Sequence, residues 1–233
     1  MTVDASTSSI ATRLEAVRNR LLGAEARFGR EPGGVALLAV SKKQSAEAIR
    51  AAHAAGQIAF GENYLQEALP KMAELADLSL EWHFIGQIQT NKTRPIAEHF
   101  SWVHGLDDGH HAERLSRQRP AGLPPLKVCL QINVSGEESK GGVTPEGAAD
   151  LLAACRELPG LELVGLMCLP APAIGEAAQR RPFRELRLVR DQLASPQCPL
   201  RELSMGMSDD LEAAIAEGAT LVRIGTAIFG PRQ

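Results

Sequence analysis

The chain reads as an α/β protein, a single (β/α)8 TIM-like barrel with an extra N-terminal helix. Three observations predict this. From Gly34 onward one theme recurs, a short apolar run, a turn and a longer amphipathic stretch, and it supplies eight candidate strands. Strands separated by helices pair in parallel through right-handed crossovers, and eight of them close a barrel of about 250 residues. The chain has 233 residues with no Pro/Gly/Ser-rich linker, so the alternation consumes nearly all of it as one domain, 1–233. An open doubly wound sheet is the rival, but no strand-order reversal is visible.

The elements follow in order. Ile10, Leu14, Val17 and Leu21 recur at helical spacing behind Ser8 or Ser9, either of which caps a first amphipathic helix. Residues 35–40 form the first strand, and 45–54 a helix opened by Ser45 with Glu47 in its first turn. Strand 57–60 precedes helix 64–75, strand 81–85 precedes helix 90–99, and strand 102–106 precedes helix 109–117, capped by Asp107 or Asp108. Strand 127–134 leads to helix 145–157, strand 162–168 to helix 181–193, strand 201–205 to helix 209–217, and 220–224 is the eighth strand.

Composition narrows the function classes. Apolar residues make up 44% and charged residues 23%, which fits a globular core and excludes a disordered or coiled-coil chain. Lys plus Arg number 25 against 28 Asp plus Glu, so no electrostatic footprint for nucleic acid or an anionic membrane exists. Four cysteines, none in a CxxC pair, read as reduced cytosolic thiols. No apolar run is long enough to span a membrane, and the N-terminus has no secretory signal, so a cytoplasmic location is expected. No His/Cys/Asp/Glu group has metal-ligand spacing, and no metal is expected.

A parallel barrel carries its chemistry on the loops at the carboxyl ends of its strands. The loops after strands seven and eight, Met205-Gly-Met-Ser208 and Gly225-Thr226, combine glycines with hydroxyls where such barrels bind phosphate. Read alone, Ser208 and Thr226 are also plausible helix caps. Lys42 ends the first strand, where a desolvated amine near other cations forms a Schiff base; strand parity does not choose between it and Lys43. Arg223 adds a cation two residues before Gly225. A lysine, an arginine and a phosphate cradle around one mouth call for a phosphorylated carbonyl compound, a sugar phosphate or pyridoxal phosphate. Elsewhere, His83 and His104 read as hydrogen-bonded barrel histidines, Glu62 as the partner of a rim lysine, and Tyr64 as a structural helix residue.

Several of these segments also match a known pattern. Leu38-Ala-Val-Ser-Lys42, Phe60-Gly-Glu-Asn-Tyr64 with Gln66-Glu67, and Trp82-His-Phe-Ile-Gly86 with Gln89-Thr-Asn-Lys92 are followed by Asn133-Val-Ser-Gly-Glu-Glu-Ser-Lys140-Gly, Gly165-Leu-Met-Cys168, Leu203-Ser-Met-Gly-Met-Ser-Asp209 and Val222-Arg-Ile-Gly-Thr-Ala-Ile-Phe-Gly230. In this order they resemble the pyridoxal phosphate homeostasis protein family. The resemblance implies a barrel similar to the amino-terminal domain of alanine racemase, with pyridoxal 5′-phosphate (PLP) at its mouth. It assigns the Schiff-base lysine to Lys42, the phosphate site to Ser204, Ser208, Gly225 and Thr226, the pyridine-nitrogen partner to Arg223, and a ring-side contact to Asn63. The family's proline three residues after the lysine is Ser45 here, which caps the helix in its own right. The function implied is PLP binding and intracellular PLP homeostasis by a monomer that is not an enzyme, with PLP-dependent apoenzymes as candidate partners. Lys140 is a candidate secondary amine for PLP. The second carboxyl-terminal domain of a racemase is not expected, since 230 is followed by only three residues. A fold-type-III PLP enzyme such as an amino-acid racemase, and a Schiff-base aldolase acting on a sugar phosphate, are the alternatives.

Overall fold

The structure, a computed structural model, describes residues 9–136 and 141–230. Its first half runs α1 (Ile10–Arg27), β1 (Ala36–Val40), α2 (Ala46–Ala54), β2 (Ala59–Glu62), α3 (Leu65–Glu74), β3 (Glu81–Phe84), α4 (Thr93–His99), β4 (Trp102–Leu106) and α5 (Gly109–Gln118). The second half runs β5 (Leu126–Gln131), α6 (Ala148–Arg156), β6 (Leu161–Met167), α7 (Glu176–Leu193), β7 (Glu202–Ser204), α8 (Leu211–Ala216), β8 (Leu221–Ile224) and α9 (Thr226–Phe229). The strands pair in chain order into a closed barrel, β1 to β8, and every pairing is parallel.

Local sequence explains three of the helix starts. The Ser9 hydroxyl accepts the Thr12 amide at 3.2 Å, Ser45 accepts that of Ala48 at 3.3 Å, and Asp108 accepts that of His111 at 3.0 Å, each satisfying an orphan donor of the first turn. In α1, Leu14, Val17, Leu21 and Ala24 form the buried face. That face packs against α2, α8 and α9. The helix is therefore extra in chain order yet packs beside α9, the four-residue helix that follows β8 among the described residues.

Several boundaries differ from the sequence reading. Strand β2 covers 59–62 rather than 57–60, because Gln57 spends its side-chain amide on the Leu37 and Ala59 carbonyls, both at 2.8 Å, instead of joining the ladder. Helix α7 begins at Glu176 rather than 181, with Pro182 inside it. Its added first turn is held by Arg180, which pairs with Glu176 on its own helix and with Glu217 beyond α8. Strand β5 stops at Gln131, and α6 and α8 are shorter than the stretches 145–157 and 209–217.

The large apolar cluster, including Phe60, Phe100 and Phe183, fills the layer between sheet and helices. Inside the barrel a smaller cluster of Trp102, Cys129 and Met167 shares the space with buried His83, His104, Ser204 and Arg223. Between β6 and β7 the backbones approach so closely that a Cβ on Gly165 would collide with the Glu202 carbonyl. Gly165→Ala is expected to lower stability by about 2–3 kcal/mol, because the backbone cannot yield as a side chain can. Urea unfolding with an unchanged m-value would read this out; a midpoint equal to the parent's would contradict it.

Candidate functional site

The register of β1 on β8 builds the mouth. Leu38 pairs with Arg223 and Ala39 with Ile224, so Lys42 and the Gly225-Thr226 turn leave the sheet side by side. A Cβ on Gly225 would lie 3.2 Å from the Val40 carbonyl oxygen, so glycine permits this close approach. A cavity of about 580 Å³ opens there, at the carboxyl ends of the strands. Lys42, Asn63, Ser208, Arg223, Gly225 and Thr226 all line it. Six of the seven residues singled out from sequence thus share one cavity.

Ser204 is the exception. It is fully buried, and its hydroxyl lies 2.8 Å from Arg223 Nη1 and 2.8 Å from His104 Nδ1. It sits beneath the cavity and supports the arginine rather than lining the space itself.

The two lysines are told apart by their surroundings. Ser41 anchors the chain before them: its amide donates to the Gly61 carbonyl at 3.0 Å and its hydroxyl to Glu62 Oε1 at 2.6 Å. After them, Lys43 takes φ of +60°, is exposed, and gives its amide to Glu67 Oε2 at 2.9 Å. Between these clamps Lys42 is half-buried and lines the cavity.

Asn63 follows Glu62 on the next strand end. Gly86 lies against the Asn63 carbonyl so closely that any side chain at 86 would collide with it, which sets the position of Asn63. Its Oδ1 is buried with no partner among the described residues, which leaves a polar atom for a ligand or an ordered water. Arg223 donates Nη1 to the Ser204 carbonyl at 2.6 Å and Nη2 to the Cys168 carbonyl at 2.9 Å, which holds the guanidinium against the cavity floor. Burial lowers its pKa from the ordinary arginine value, opposed by nearby Cys168 and Asp210.

Arg20 was not singled out from sequence. It comes from α1, lines the same cavity, forms a bidentate pair with Glu212 at 2.6 Å, and donates to the Ser208 carbonyl at 2.7 Å. It ties the first helix to the loop after β7. Tyr64 is 52% exposed at the start of α3 and outside the lining. Lys140 lies outside the described residues. Among the described residues no group of three His/Cys/Asp/Glu side chains could hold a metal ion.

The family described as alanine racemase, N-terminal domain, matches residues 12–233. A pyridoxal phosphate homeostasis protein of Pseudomonas aeruginosa is 60% identical over 226 residues, covering 97% of each chain. The chain belongs to this family. A second pyridoxal phosphate homeostasis protein of the family, from Escherichia coli K12, is 49% identical over 229 residues, 97% of this chain and 98% of that one. A solved structure of PipY from Synechococcus elongatus, with PLP bound, superposes with a TM-score of 0.84 at 40% identity, covering 95% of this chain and 100% of that one.

Beside the site, Glu62 is paired as anticipated, but by Lys71 of α3 rather than by a lysine of the rim. Lys71 Nζ also donates to the Ser41 carbonyl at 2.9 Å, so the pair fixes the residue preceding Lys42. Burial raises the Glu62 pKa above the usual carboxylate range, against the pull of Lys71 and Ser41. A carboxyl with a raised folded pKa contributes most below its unfolded value of about 4.3, and that contribution is lost as pH rises through the folded value. Removing the lysine deepens the effect. Lys71→Met is expected to cost about 3–5 kcal/mol at pH 7 by leaving a buried carboxylate unpaired. The deficit should shrink toward roughly pH 5 as Glu62 takes up a proton. Denaturant unfolding at both pH values checks this; a deficit that grows on acidification would contradict the assignment.

Proposed function

We propose that this protein binds pyridoxal 5′-phosphate at the carboxyl mouth of its barrel, holds it covalently on Lys42, and serves intracellular PLP homeostasis without turnover. The observation that carries the reading is the shared cavity: an amine, a buried guanidinium and two glycine–hydroxyl turns face one space. Its volume of about 580 Å³ suits a cofactor-sized ligand. The donor set fits the parts of PLP, a phosphate, an aldehyde and a pyridine nitrogen, and the unpartnered Asn63 Oδ1 leaves a polar atom for the ring side.

When bound, PLP supplies an aldehyde that condenses with a primary amine, forming C=N and releasing water. Lys42 is the amine for that bond. Gly206, with φ of +95°, turns the chain toward Ser208, and Ser208 with Gly225 and Thr226 offers hydroxyls and first-turn amides to the phosphate. Arg20 holds the Ser208 carbonyl and adds positive charge beside it. Arg223 would face the pyridine nitrogen and, as a fixed cation, would disfavour its protonation.

The same arginine argues against catalysis, because an unprotonated ring is a weaker electron sink for carbanion chemistry. The titratable groups of the lining are Arg20, Lys42, Asp209 and Arg223, and two of these are guanidiniums. A racemase needs proton donors and acceptors on both faces of the ring, and Tyr64 stands outside. The eight strands close on themselves as one barrel, which favours a single domain. Four buried cysteines, none joined in a disulfide, favour a reducing, cytoplasmic compartment, and among the described residues no helix is long and apolar enough to cross a membrane. PLP-dependent apoenzymes are the natural recipients of the held cofactor.

The test is chemical. Protein loaded with PLP should gain a visible absorption band, and borohydride reduction with peptide mapping should place the adduct on Lys42. Lys42→Ala should lose the band. An adduct on Lys43 alone would overturn the lysine assignment. Racemisation of a single-enantiomer amino acid at ordinary enzyme rates, near ~10 s⁻¹, would overturn the non-catalytic reading.

A further inference from the structure

Below the cavity, polar side chains cross the barrel interior toward its opposite mouth. Arg223 Nη1 lies 2.8 Å from Ser204 Oγ, and Ser204 Oγ lies 2.8 Å from His104 Nδ1. His104 Nε2 lies 2.9 Å from His83 Nδ1, and His83 Nε2 lies 2.7 Å from Glu81 Oε1. The residues come from β8, β7, β4 and β3, so the path runs through the interior and not along one strand. The first four are buried, while the Glu81 side chain, at the amino-terminal end of β3, is 42% exposed. Trp102 stacks on the His83 ring, 5.1 Å between centroids and 9° between planes, and holds its orientation.

The two ends dictate where the protons lie. A guanidinium only donates and a carboxylate only accepts. Arg223 therefore donates to Ser204, and Ser204 sends its own proton to His104 Nδ1. His104 then carries its proton on Nε2 and donates to His83 Nδ1. His83 likewise carries its proton on Nε2 and donates to Glu81. Burial lowers the pKa of both imidazoles from the ordinary histidine value, most strongly for His104, which keeps one proton on each ring. With one proton per ring, this arrangement makes all four bonds.

A buried cation needs compensation, and hydrogen bonds in series polarise one another. The direct partners of Arg223 are one hydroxyl and two carbonyls; among the described residues no carboxylate forms an ion pair with it, and Asp210 acts on it only through space. The anionic end of its network is Glu81. We propose that Glu81, at the mouth opposite the cofactor cavity, is a positioning residue for Arg223, acting through His83, His104 and Ser204 to fix the direction of the relay and the pose of the guanidinium. The consequence for PLP rests on the function proposed above; the polarity of the relay does not.

Nitrogen-15 NMR of the histidines in protein free of PLP tests the polarity. Both His83 and His104 should be neutral with the proton on Nε2 over roughly pH 6 to 8. An Nδ1-protonated or doubly protonated ring at either position would overturn the relay. PLP titration followed by absorption tests the consequence. Glu81→Gln keeps an acceptor at a half-exposed position but removes the charge, and should raise the PLP Kd at least about fivefold. Glu162→Gln, exposed at the same mouth and off the path, should change it by less than about twofold. Wild-type affinity in Glu81→Gln, or equal losses in both variants, would overturn the coupling. Failure of the wild-type protein to take up PLP would refute the cofactor assignment, and the NMR result would still decide the relay.

Discussion

Arg223 is buried at the centre of the barrel mouth, and most of the site's construction follows from keeping that guanidinium in place. Removing a cation from water is costly unless its donors are spent on well-placed acceptors. The Ser204 and Cys168 carbonyls, at the ends of β7 and β6, provide them, and the Ser204 hydroxyl provides a third. The Arg223 amide in turn donates to the Gly206 carbonyl at 3.0 Å, so the same residue sets the turn after β7. Gly206 cannot carry a side chain there, because its φ is +95° and a Cβ would lie 2.6 Å from that of Ala214. One residue thus links the ends of three strands.

The second constraint is the clustering of positive charge. Arg20, Lys42 and Arg223 line one cavity although they come from α1, the end of β1 and β8. Glu212 neutralises Arg20 and Asp209 lies at the edge, yet the arrangement still favours an anionic ligand. Under the proposed function a phosphate would answer that need, and Lys42 would supply the covalent bond. Under the proposed function, tight holding and absence of turnover would share one cause: the groups that fix the cofactor would also keep its ring from acting as a strong electron sink.

Much of this was legible in the residues. Eight strand–helix units, the glycine–hydroxyl turns after β7 and β8, and the lysine at the end of β1 are local patterns, and local patterns can be read one segment at a time. His83 and His104 were expected to be hydrogen-bonded inside the barrel, and they are. What was not legible depends on distant partners. Arg20 precedes the loop it holds by nearly the whole chain, and no local pattern marks it. Ser204 sits in a phosphate-like motif but faces inward, where His104 and Arg223 claim its hydroxyl. Glu62 read as the partner of a rim lysine, but the lysine that pairs with it is Lys71, on the next helix. Lys42 and Lys43 were equivalent by parity until the left-handed backbone at Lys43 turned that residue outward.

The central claim is that one mouth holds PLP by three grips at once, and a crystal structure of the loaded protein tests it most directly. The account predicts continuous density from Lys42 Nζ to the cofactor, the pyridine nitrogen against Arg223, and the phosphate between the turns at Ser208 and Gly225-Thr226. A cofactor bound with its phosphate toward Arg223, or seated outside this cavity, would contradict it.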